Sequence, residues 1–455
     1  MKNKVNLATA NPPKAYVRIV AAVAAFSGLL FGFDTAVING AIVFLRKKFS
    51  LSDFQTEVAA GALLLGCLLG ASIAGFLSDR FGRRKILAGA GVLFTASAVG
   101  SAISQGLAIF SITRLIGGIA IGFVSTLTPV YISEIAPPRS RGSLVSMNQL
   151  AIVVGILVAY LSNWGLSVLG DSSWRWMFAA GAIPSLAFLI GLIFIPESPR
   201  WLFLQSRPAA AQAILTRIAG AVEAQVELNA IELAAAEEAR GSRELLSPAM
   251  RGRLFIAVAL AVLSQISGIN TVLYYGSVIM KDHLAGQSGA GAIGANAVVG
   301  LVNLIGTIVA MCFIDRWGRR VLLLLASGGM AGCLMVLSIS LKIRTAPIVL
   351  VFASVLCYVA FFAVGLGPGV WVYITEIFPT ELRSRATSVA VSALWASCLA
   401  VTLTFLSIVR ALGIASTFLI YALLSLATFC FVWKFVPETR GKSLEDIQYI
   451  WGERS

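Results

Sequence analysis

DRFGRR at residues 79–84 returns as DRWGRR at residues 315–320, and this repetition determines how the rest of the chain is interpreted. The other repeated motifs, in the same order, are VYISEI and VYITEI (130–135 and 372–377) and PES and PET (196–198 and 437–439). Three matched motifs in one order indicate an internal duplication. The chain is therefore predicted to be two copies of one structural unit.

The composition is that of a membrane protein. Hydrophobic residues make up 58% of the 455 residues and charged residues 12%, about half the charged share of a soluble domain. The apolar residues form Gly-rich blocks of roughly 20 or more, enough for a helix to cross ~30 Å of hydrocarbon. We predict an all-α membrane protein with twelve transmembrane helices, near residues 17–38, 56–78, 86–104, 107–132, 142–163, 174–195, 253–280, 293–314, 320–341, 347–374, 386–409 and 415–436.

Six helices per repeat make each half start and end on the same side of the membrane, so the two repeats are parallel. The predicted domains are a six-helix bundle (1–195), a cytoplasmic helical linker (196–250), a second six-helix bundle (251–436) and a cytoplasmic tail (437–455). The Ala-rich linker predicts two or three short amphipathic helices. It is either a simple connection or a latch for a gate.

The net charge of +14 does not indicate nucleic-acid binding, because most Lys and Arg fall in loops on one side of the predicted topology. This bias predicts a multi-pass cell-membrane protein with both termini cytoplasmic. The Arg46–Lys48 triplet, predicted in an outside loop, runs against the bias. The first helix lacks a cleavage pattern and is predicted to be retained.

Two lone charges, Asp34 in LLFGFDTAVING and Arg114 in FSITRLIGGIAIG, interrupt apolar stretches. An ionised side chain at bilayer depth costs at least ~2.5 kcal/mol and usually faces a protein interior or a watery cavity. The two opposite charges offset each other's desolvation only if they meet. Proton binding to Asp34 would then change which groups the Arg114 side chain binds.

No pattern predicts an enzyme. The six cysteines lie in apolar blocks without CxxC spacing, so neither a disulfide nor a metal site is expected. GxGxxG at 289–294 lacks the preceding strand of a dinucleotide site, and no P-loop is present. His283 is the single histidine, and no nucleophile–base arrangement accompanies it. No cofactor is expected.

Taken together, the motifs resemble the sugar porter family of the major facilitator superfamily over nearly the whole chain. The matching segments are GFDTAVING (32–40), GFLSDRFGRRK (75–85), RLIGGIAIGF (114–123), PVYISEIAPPRSRG (129–142), NQLAIVVGIL (148–157), PESPRWL (196–202), QISGINTVLYY (265–275), DRWGRR (315–320), GPGVWVYITEIFP (367–379) and PETRGKSLEDI (437–447). The resemblance implies a transporter that imports a monosaccharide, a hexose or a pentose, with a proton. It also implies a monomer, and we expect a bacterial inner membrane.

Three other functions remain open. A facilitative uniporter and a polyol- or cyclitol-proton symporter belong to the same class. A membrane sugar sensor that does not transport belongs to another class, and its long signalling tail is not matched by the short stretch after Pro437.

In the resembled family an Asp at the position of Asp34 accompanies proton symport, so Asp34 and Arg114 are the expected proton-coupling pair. Burial raises the pKa of a carboxyl group and a nearby Arg lowers it, so a change in their separation would bind or release a proton. The alternative is a static pair that fixes helix packing.

By matching positions, the resemblance also implies the residues of the substrate cavity. They are Phe31, Gln149, Gln265, Asn270, Tyr274, Asn303, Gly367, Trp371 and Trp395. A break at Gly268 is expected to help Gln265 and Asn270 face inward. Polar side chains in a membrane helix can instead join helices, and tryptophans can instead pack or lie at the membrane interface.

Two positions depart from the family pattern. Ser264 stands where the family carries the first of two glutamines, and Leu394 stands where it carries an amide before Trp395. Each change removes a long hydrogen-bonding group from the expected site. The preferred substrate is therefore expected to differ from glucose or xylose, with a deoxy-sugar, a pentose or a cyclitol as candidates.

The charged motifs at the predicted cytoplasmic helix ends resemble a gate that latches the outward-open state by Arg–Glu bonds across the two halves. The gate residues implied are Arg83, Glu134, Arg141, Glu197, Arg200, Arg319, Glu376, Arg383 and Glu438. The alternative is that they anchor the topology and cap helices without gating.

Overall fold

The computed structural model describes residues 14–136, 141–240, 247–283, 289–343, 347–378 and 380–439, and the regular elements in these ranges are helices. The N-terminal half contains α1 (Lys14–Phe49), α2 (Asp53–Phe81), α3 (Arg83–Ile103), α4 (Leu107–Ile135), α5 (Arg141–Leu166), α6 (Ser173–Ala180) and α7 (Ala182–Ile193). The insert contains α8 (Pro199–Leu204), α9 (Pro208–Ala219) and α10 (Ala221–Arg240). The C-terminal half contains α11 (Pro248–Ile266), α12 (Ile269–His283), α13 (Gly289–Trp317), α14 (Arg319–Lys342), α15 (Ile348–Val364), α16 (Leu366–Glu376), α17 (Thr380–Leu412) and α18 (Ile414–Phe435).

Eleven stretches of the described chain are long and apolar enough to cross a membrane. The longest, Leu144–Ile193, holds two crossings. The first is α5, and a 3₁₀ turn at Ser167–Ser172 connects it to the second, which consists of α6 and α7. The prediction of twelve transmembrane helices is thereby confirmed. We call the end of the bundle at which α1 begins the proximal end, and the opposite end the distal end.

The first helix is longer than the sequence predicted. It continues to Phe49, so Arg46, Lys47 and Lys48 occupy its last turn, where the prediction had a loop. Cations are favourable at this point because a helix C-terminus carries partial negative charge. Arg46 also contacts the carboxylate of Asp53 at 2.8 Å, at the start of α2.

Three of the predicted helices are divided at glycines. The predicted helix 253–280 ends at Ile266, and α12 restarts after Gly268, whose φ of 85° lies in the left-handed region that favours glycine. A Cβ at Gly268 would lie 2.4 Å from the ring of Tyr421, so space as well as backbone angle requires glycine. The predicted helix 347–374 is also broken, at Gly365, whose φ of −130° is not left-handed. The predicted helix 174–195 is divided at Gly181.

Small residues let the helices of each half approach closely. A Cβ on Gly118 of α4 would lie 1.9 Å from the carbonyl oxygen of Leu63 on α2. A Cβ on Gly155 of α5 would lie 2.1 Å from the carbonyl oxygen of Leu29 on α1. Backbone-to-backbone packing of this kind is typical of membrane helices, where lipid offers no hydrophobic driving force for association.

The insert forms three helices, within the predicted two or three. They share a small apolar core formed by Leu202, Ala211, Leu215, Ala224 and Leu228. The insert lies against the proximal end, where Trp201 Nε1 donates to the carbonyl oxygen of Asp79 at 2.9 Å. The guanidinium of Arg217 lies over the ring of Tyr16, 4.1 Å from its centroid.

Candidate functional site

A cavity of about 110 Å³ lies between the two halves. This volume has room for several water molecules. It is lined by helices from both halves, and the nine residues implied as substrate contacts all contribute to its wall. They are Phe31, Gln149, Gln265, Asn270, Tyr274, Asn303, Gly367, Trp371 and Trp395.

The break at Gly268 shapes the polar wall of the cavity. Gln265 lies before the break and Asn270 after it, and the Asn270 amide donates to Oε1 of Gln265. The same amide contacts Sγ of Cys398 at 3.1 Å, and Gln265 Nε2 donates to Oγ of Ser264 at 3.0 Å. These bonds hold both amides in place on the wall.

Aromatic rings form another part of the wall. The rings of Phe31 and Trp395 face each other across the halves, with centroids 5.6 Å apart. Trp395 is almost fully buried, and its indole Nε1 has no hydrogen-bond partner among the described residues. Most buried donors in proteins are paired, so an unpaired donor beside a cavity is a group that a bound oxygen can satisfy.

Asp34 and Arg114 are in direct contact inside the N-terminal half. Arg114 Nη1 donates to Oδ1 of Asp34, and Nη2 donates to the Asp34 carbonyl oxygen at 2.6 Å. The Arg114 side chain is 1% exposed and its guanidinium lies 5.1 Å from the centroid of the Phe178 ring. On the same helix as Asp34, Phe31 and Thr35 line the central cavity, so α1 joins the charged pair to the cavity.

Repeated charges at the proximal end pair within each half. Arg83 Nε lies 3.3 Å from Oε2 of Glu134 in the N-terminal half. In the C-terminal half, Arg319 Nη2 lies 2.9 Å from Oε1 of Glu376, whose other oxygen accepts from Thr439 at 2.7 Å. These two described pairs lie within one half each, and bonds across the halves stay a prediction. In each pair the Arg lies at the start of one helix and the Glu lies on a helix packed beside it. The two side chains of one half are therefore close enough to pair.

Glu197 and Glu438 occupy equivalent positions at helix N-termini. Glu197 accepts from the backbone N–H of Arg84 at 3.1 Å, and Glu438 accepts from the backbone N–H of Arg320 at 3.1 Å. A carboxylate is favourable there because the first N–H groups of a helix lack partners. Arg200 lies in α8 beside this site. The side chains of the other two predicted gate residues, Arg141 and Arg383, lie outside the described part of the structure.

The chain is similar to known proteins over most of its length. A family model described as "Sugar (and other) transporter" matches residues 20–451. The chain belongs to the sugar transporter family. The arabinose-proton symporter of Bacillus subtilis is 40% identical to this sugar transporter over 443 residues, which cover 96% of this chain and 95% of that protein. The D-xylose-proton symporter of Escherichia coli is 36% identical over 475 residues, with 96% of each chain covered.

Solved structures agree with the fold. The major facilitator superfamily proton:xylose symporter XylE, bound to 6-bromo-6-deoxy-D-glucose, superposes with a TM-score of 0.84 at 35% identity. The match covers 96% of this chain and 99% of that one. The prediction of the major facilitator fold, with two parallel six-helix repeats, is confirmed.

In this sugar transporter, hydrogen bonds between the two halves close the distal side of the cavity. Asn39 on α1 is fully buried, and its Nδ2 donates to the Leu273 carbonyl oxygen at 2.7 Å and to Oδ1 of Asn296 at 3.3 Å. Its Oδ1 accepts from the backbone N–H of Ser277 at 3.1 Å and from the Ser277 hydroxyl. The Tyr160 hydroxyl donates to the Leu273 carbonyl oxygen at 2.9 Å.

A buried carboxylate makes a second connection at the distal end. Glu57 on α2 is fully buried and accepts from the backbone N–H and the hydroxyl of Ser407 on α17, each at 2.8 Å. The sequence analysis missed both Asn39 and Glu57. Glu57 gave a weaker signal than Asp34, because Asp53, Gln55 and Thr56 closely precede it and the stretch reads as a polar helix start.

Several cavity residues were also missed. Thr35, Thr307 and Phe362 line the cavity beside the predicted residues. Thr307 lies four residues after Asn303, so it is on the same face of α13, and that spacing was a usable signal. Ser264 and Leu394, the two departures from the family pattern, both line the cavity.

No group of three or more metal-binding side chains occurs in the described part of the chain. Cys67 and Cys398 are buried free thiols, and the other four cysteines are free as well.

Proposed function

We propose that this protein imports a monosaccharide, a hexose or a pentose, together with a proton, by alternating access. The observation that carries the proposal is the contact between Asp34 and Arg114 on a helix that also lines a polar and aromatic cavity between the halves. The names of the relatives, an arabinose-proton and a D-xylose-proton symporter, support it. The protein acts as a carrier and performs no covalent step.

The cavity offers what a sugar needs. The amides of Gln149, Gln265, Asn270 and Asn303 supply donors and acceptors to hydroxyl groups. The rings of Phe31, Tyr274, Trp371 and Trp395 supply apolar faces to C–H surfaces, and Gly367 keeps the wall open. Pockets that pair a few placed polar groups with apolar walls are typical of small-molecule sites.

Asp34 is the proton carrier and Arg114 its counter-charge. With Asp34 ionised, the bond to Arg114 is charge-assisted and about twice as strong as a neutral one. Protonation removes the carboxylate charge and weakens this bond. The change reaches the sugar through α1, because Phe31 and Thr35 line the cavity one turn or less from Asp34.

The proximal end is the cytoplasmic end in this proposal, which places both termini in the cytoplasm of a bacterial inner membrane. The distal closure around Asn39 then seals the cavity from the outside. The proximal gate consists of Arg83, Glu134, Arg141, Glu197, Arg200, Arg319, Glu376, Arg383 and Glu438. The described pairs stiffen each half at this end, so each half rocks as a unit. The monomer, surrounded by lipid, is the working unit.

A second candidate is symport of a polyol, a cyclitol or a deoxy-sugar. Ser264 and Leu394 favour it, since both line the cavity without a long amide. Each hydroxyl bond that is lost removes about 0.5–1.5 kcal/mol net. A ligand that lacks one hydroxyl group at that wall loses nothing there.

Proteoliposomes test the proposal with a panel of labelled D-xylose, L-arabinose, D-glucose and a cyclitol, with and without an imposed pH gradient. We expect an inward proton gradient to drive accumulation of at least one of them. Asp34→Asn should abolish accumulation but keep counterflow exchange. Asp171→Asn, which removes an exposed carboxylate paired with Lys47, is the matched control and should behave as wild type.

Three outcomes contradict parts of the proposal. Uptake that ignores the pH gradient would identify a facilitative uniporter. Binding without uptake would identify a sensor. Concentrative uptake by Asp34→Asn would exclude Asp34 as the proton carrier.

A further inference from the structure

Two buried oxygens next to the charged pair have no hydrogen-bond partner among the described residues. They are Oδ2 of Asp34 and Oγ of Ser97 on α3. Ser97 is 1% exposed. Since most buried polar groups in proteins are paired, two unpaired oxygens in one place require an explanation.

Both oxygens lie beside the same glycine. A Cβ on Gly117 of α4 would lie 2.4 Å from Ser97 Oγ and 2.8 Å from Asp34 Oδ2. The helix register explains this arrangement, because four residues further along α3 the hydroxyl of Ser101 bonds to that of Thr113 at 3.0 Å. Ser97 therefore faces Gly117 as Ser101 faces Thr113, and both oxygens border the space that a side chain at position 117 would fill.

The position of Arg114 determines where a proton can bind. Arg114 holds Oδ1 and the carbonyl oxygen of Asp34, which leaves Oδ2 as the free acceptor. A carboxyl group protonated at Oδ2 becomes a donor, and a buried donor needs an acceptor. Ser97 Oγ, which borders the same space at Gly117, is an unused acceptor.

The titratable groups that face Asp34 are Arg114 on α4 and Cys67 on α2. A small cavity of about 10 Å³ lies beside Asp34, at the limit for one water molecule. Residues of α1, α3, α6 and α7, with Gly181 between the last two helices, line it: Leu30, Phe33, Val37, Phe94, Ala98, Phe178, Gly181 and Ser185. Among the described groups around Asp34, the Ser185 hydroxyl lies at this same small cavity and already donates to the Gly181 carbonyl oxygen at 2.7 Å. From the helices that pack on the other sides of α1, Tyr160 of α5 bonds to Leu273 and Tyr274 of α12 lies at the central cavity.

We propose that Ser97 is a positioning residue for proton coupling: when Asp34 takes a proton on Oδ2, the new O–H donates to Ser97 Oγ, while Oδ1 remains with Arg114. This inference rests on the proposed function of Asp34. It assigns to α3 a part in binding the proton. The Ser97 hydroxyl makes no hydrogen bond to Oδ2 in this structure, so the new bond belongs to the protonated form and stabilises it. Ser97 does not line the sugar cavity.

The test is the pH dependence of sugar accumulation in proteoliposomes. Loss of one hydrogen bond to the protonated carboxyl group should move the pH of half-maximal uptake about 0.5–1 unit toward acid in Ser97→Ala. Ser97→Thr keeps the hydroxyl and should restore the wild-type profile. The half-saturation concentration of the sugar in counterflow should stay unchanged in both variants.

Ser101→Ala is the matched control, since it removes a buried hydroxyl from the same helix but away from Asp34. It should leave the pH profile in place. A wild-type profile in Ser97→Ala, with proton-driven uptake intact, overturns the role of Ser97 alone. If the wild type itself shows no proton-driven uptake, the proposed function fails and the role of Ser97 fails with it.

Discussion

The replacement Asn39→Ala should open the distal end of the transporter. Asn39 belongs to the N-terminal half, and its bonds to Leu273, Ser277 and Asn296 all reach the C-terminal half. Alanine removes these bonds from the distal-closed state. In a distal-open state, water reaches the same groups and satisfies them, so that state loses little.

The magnitude follows from the bonds. Five hydrogen bonds are removed, each worth about 0.5–1.5 kcal/mol net, and the one to the Val272 carbonyl oxygen is long at 3.5 Å. Part of the loss is recovered, because Asn296 Nδ2 already donates to the Ser277 hydroxyl at 2.9 Å and this bond remains. A net shift of about 2–3 kcal/mol is left, which corresponds to roughly 30- to 150-fold in the ratio of distal-open to distal-closed molecules.

The assay is a distance measurement between spin labels on the distal ends of the two halves. Val168→Cys and Leu412→Cys provide exposed attachment sites, in a background where the exposed Cys312, Cys357 and Cys430 are replaced by alanine. Asn39→Ala should transfer most of the distance distribution to a longer, distal-open component.

The control for this experiment is Asn163→Ala. Asn163 is also buried, and its amide donates to the Val37 carbonyl oxygen at 3.0 Å, a bond that stays within the N-terminal half. It should destabilise the fold without changing the distance. An unchanged distribution in Asn39→Ala, or an equal change in Asn163→Ala, would refute the distal closure as the cause.

Three further predictions address the cavity and the proximal end. Gly268→Ala should lower the melting temperature through a left-handed φ that costs about 1–2 kcal/mol and through contact with Tyr421, whereas Gly332→Ala, which meets open space, should not. Leu394→Gln should lower the half-saturation concentration for a fully hydroxylated hexose about 2- to 12-fold in counterflow, and an unchanged sugar preference would exclude Leu394 from selectivity. Glu376→Gln should loosen the proximal end and raise its accessibility to a labelling reagent, and unchanged labelling would contradict a latch at this residue.

The fold and the composition of the cavity wall were predictable from the sequence because both depend on local patterns. Long apolar blocks define crossings whatever their partners are. The repeated DRFGRR and DRWGRR motifs place the two halves in register. The break at Gly268 was predictable too, because Gln265 and Asn270 lie five residues apart and an unbroken helix would not turn both to one side.

The partners of the charged and polar groups were not predictable in the same way. Equivalent helix ends in both halves carry Arg and Glu, so the sequence does not decide whether Arg83 meets Glu134 of its own half or a glutamate of the other. The bonds of Asn39 reach residues more than 230 positions away. Which faces of those helices meet depends on tertiary packing, which no local period encodes.

The distribution of bond types explains how such a protein can rock without unfolding. The described ion pairs, among them Asp34 with Arg114, Arg83 with Glu134 and Arg319 with Glu376, all lie within one half. The described bonds that close the distal end join mostly neutral groups, with Glu57 and Ser407 as the charged exception. Because charge-assisted bonds are about twice as strong as neutral ones, motion between the halves breaks the weaker set first. The same motion separates Glu57 from Ser407. Distal opening is therefore the step in which the Glu57 carboxylate exchanges its two bonds to Ser407 for bonds to water.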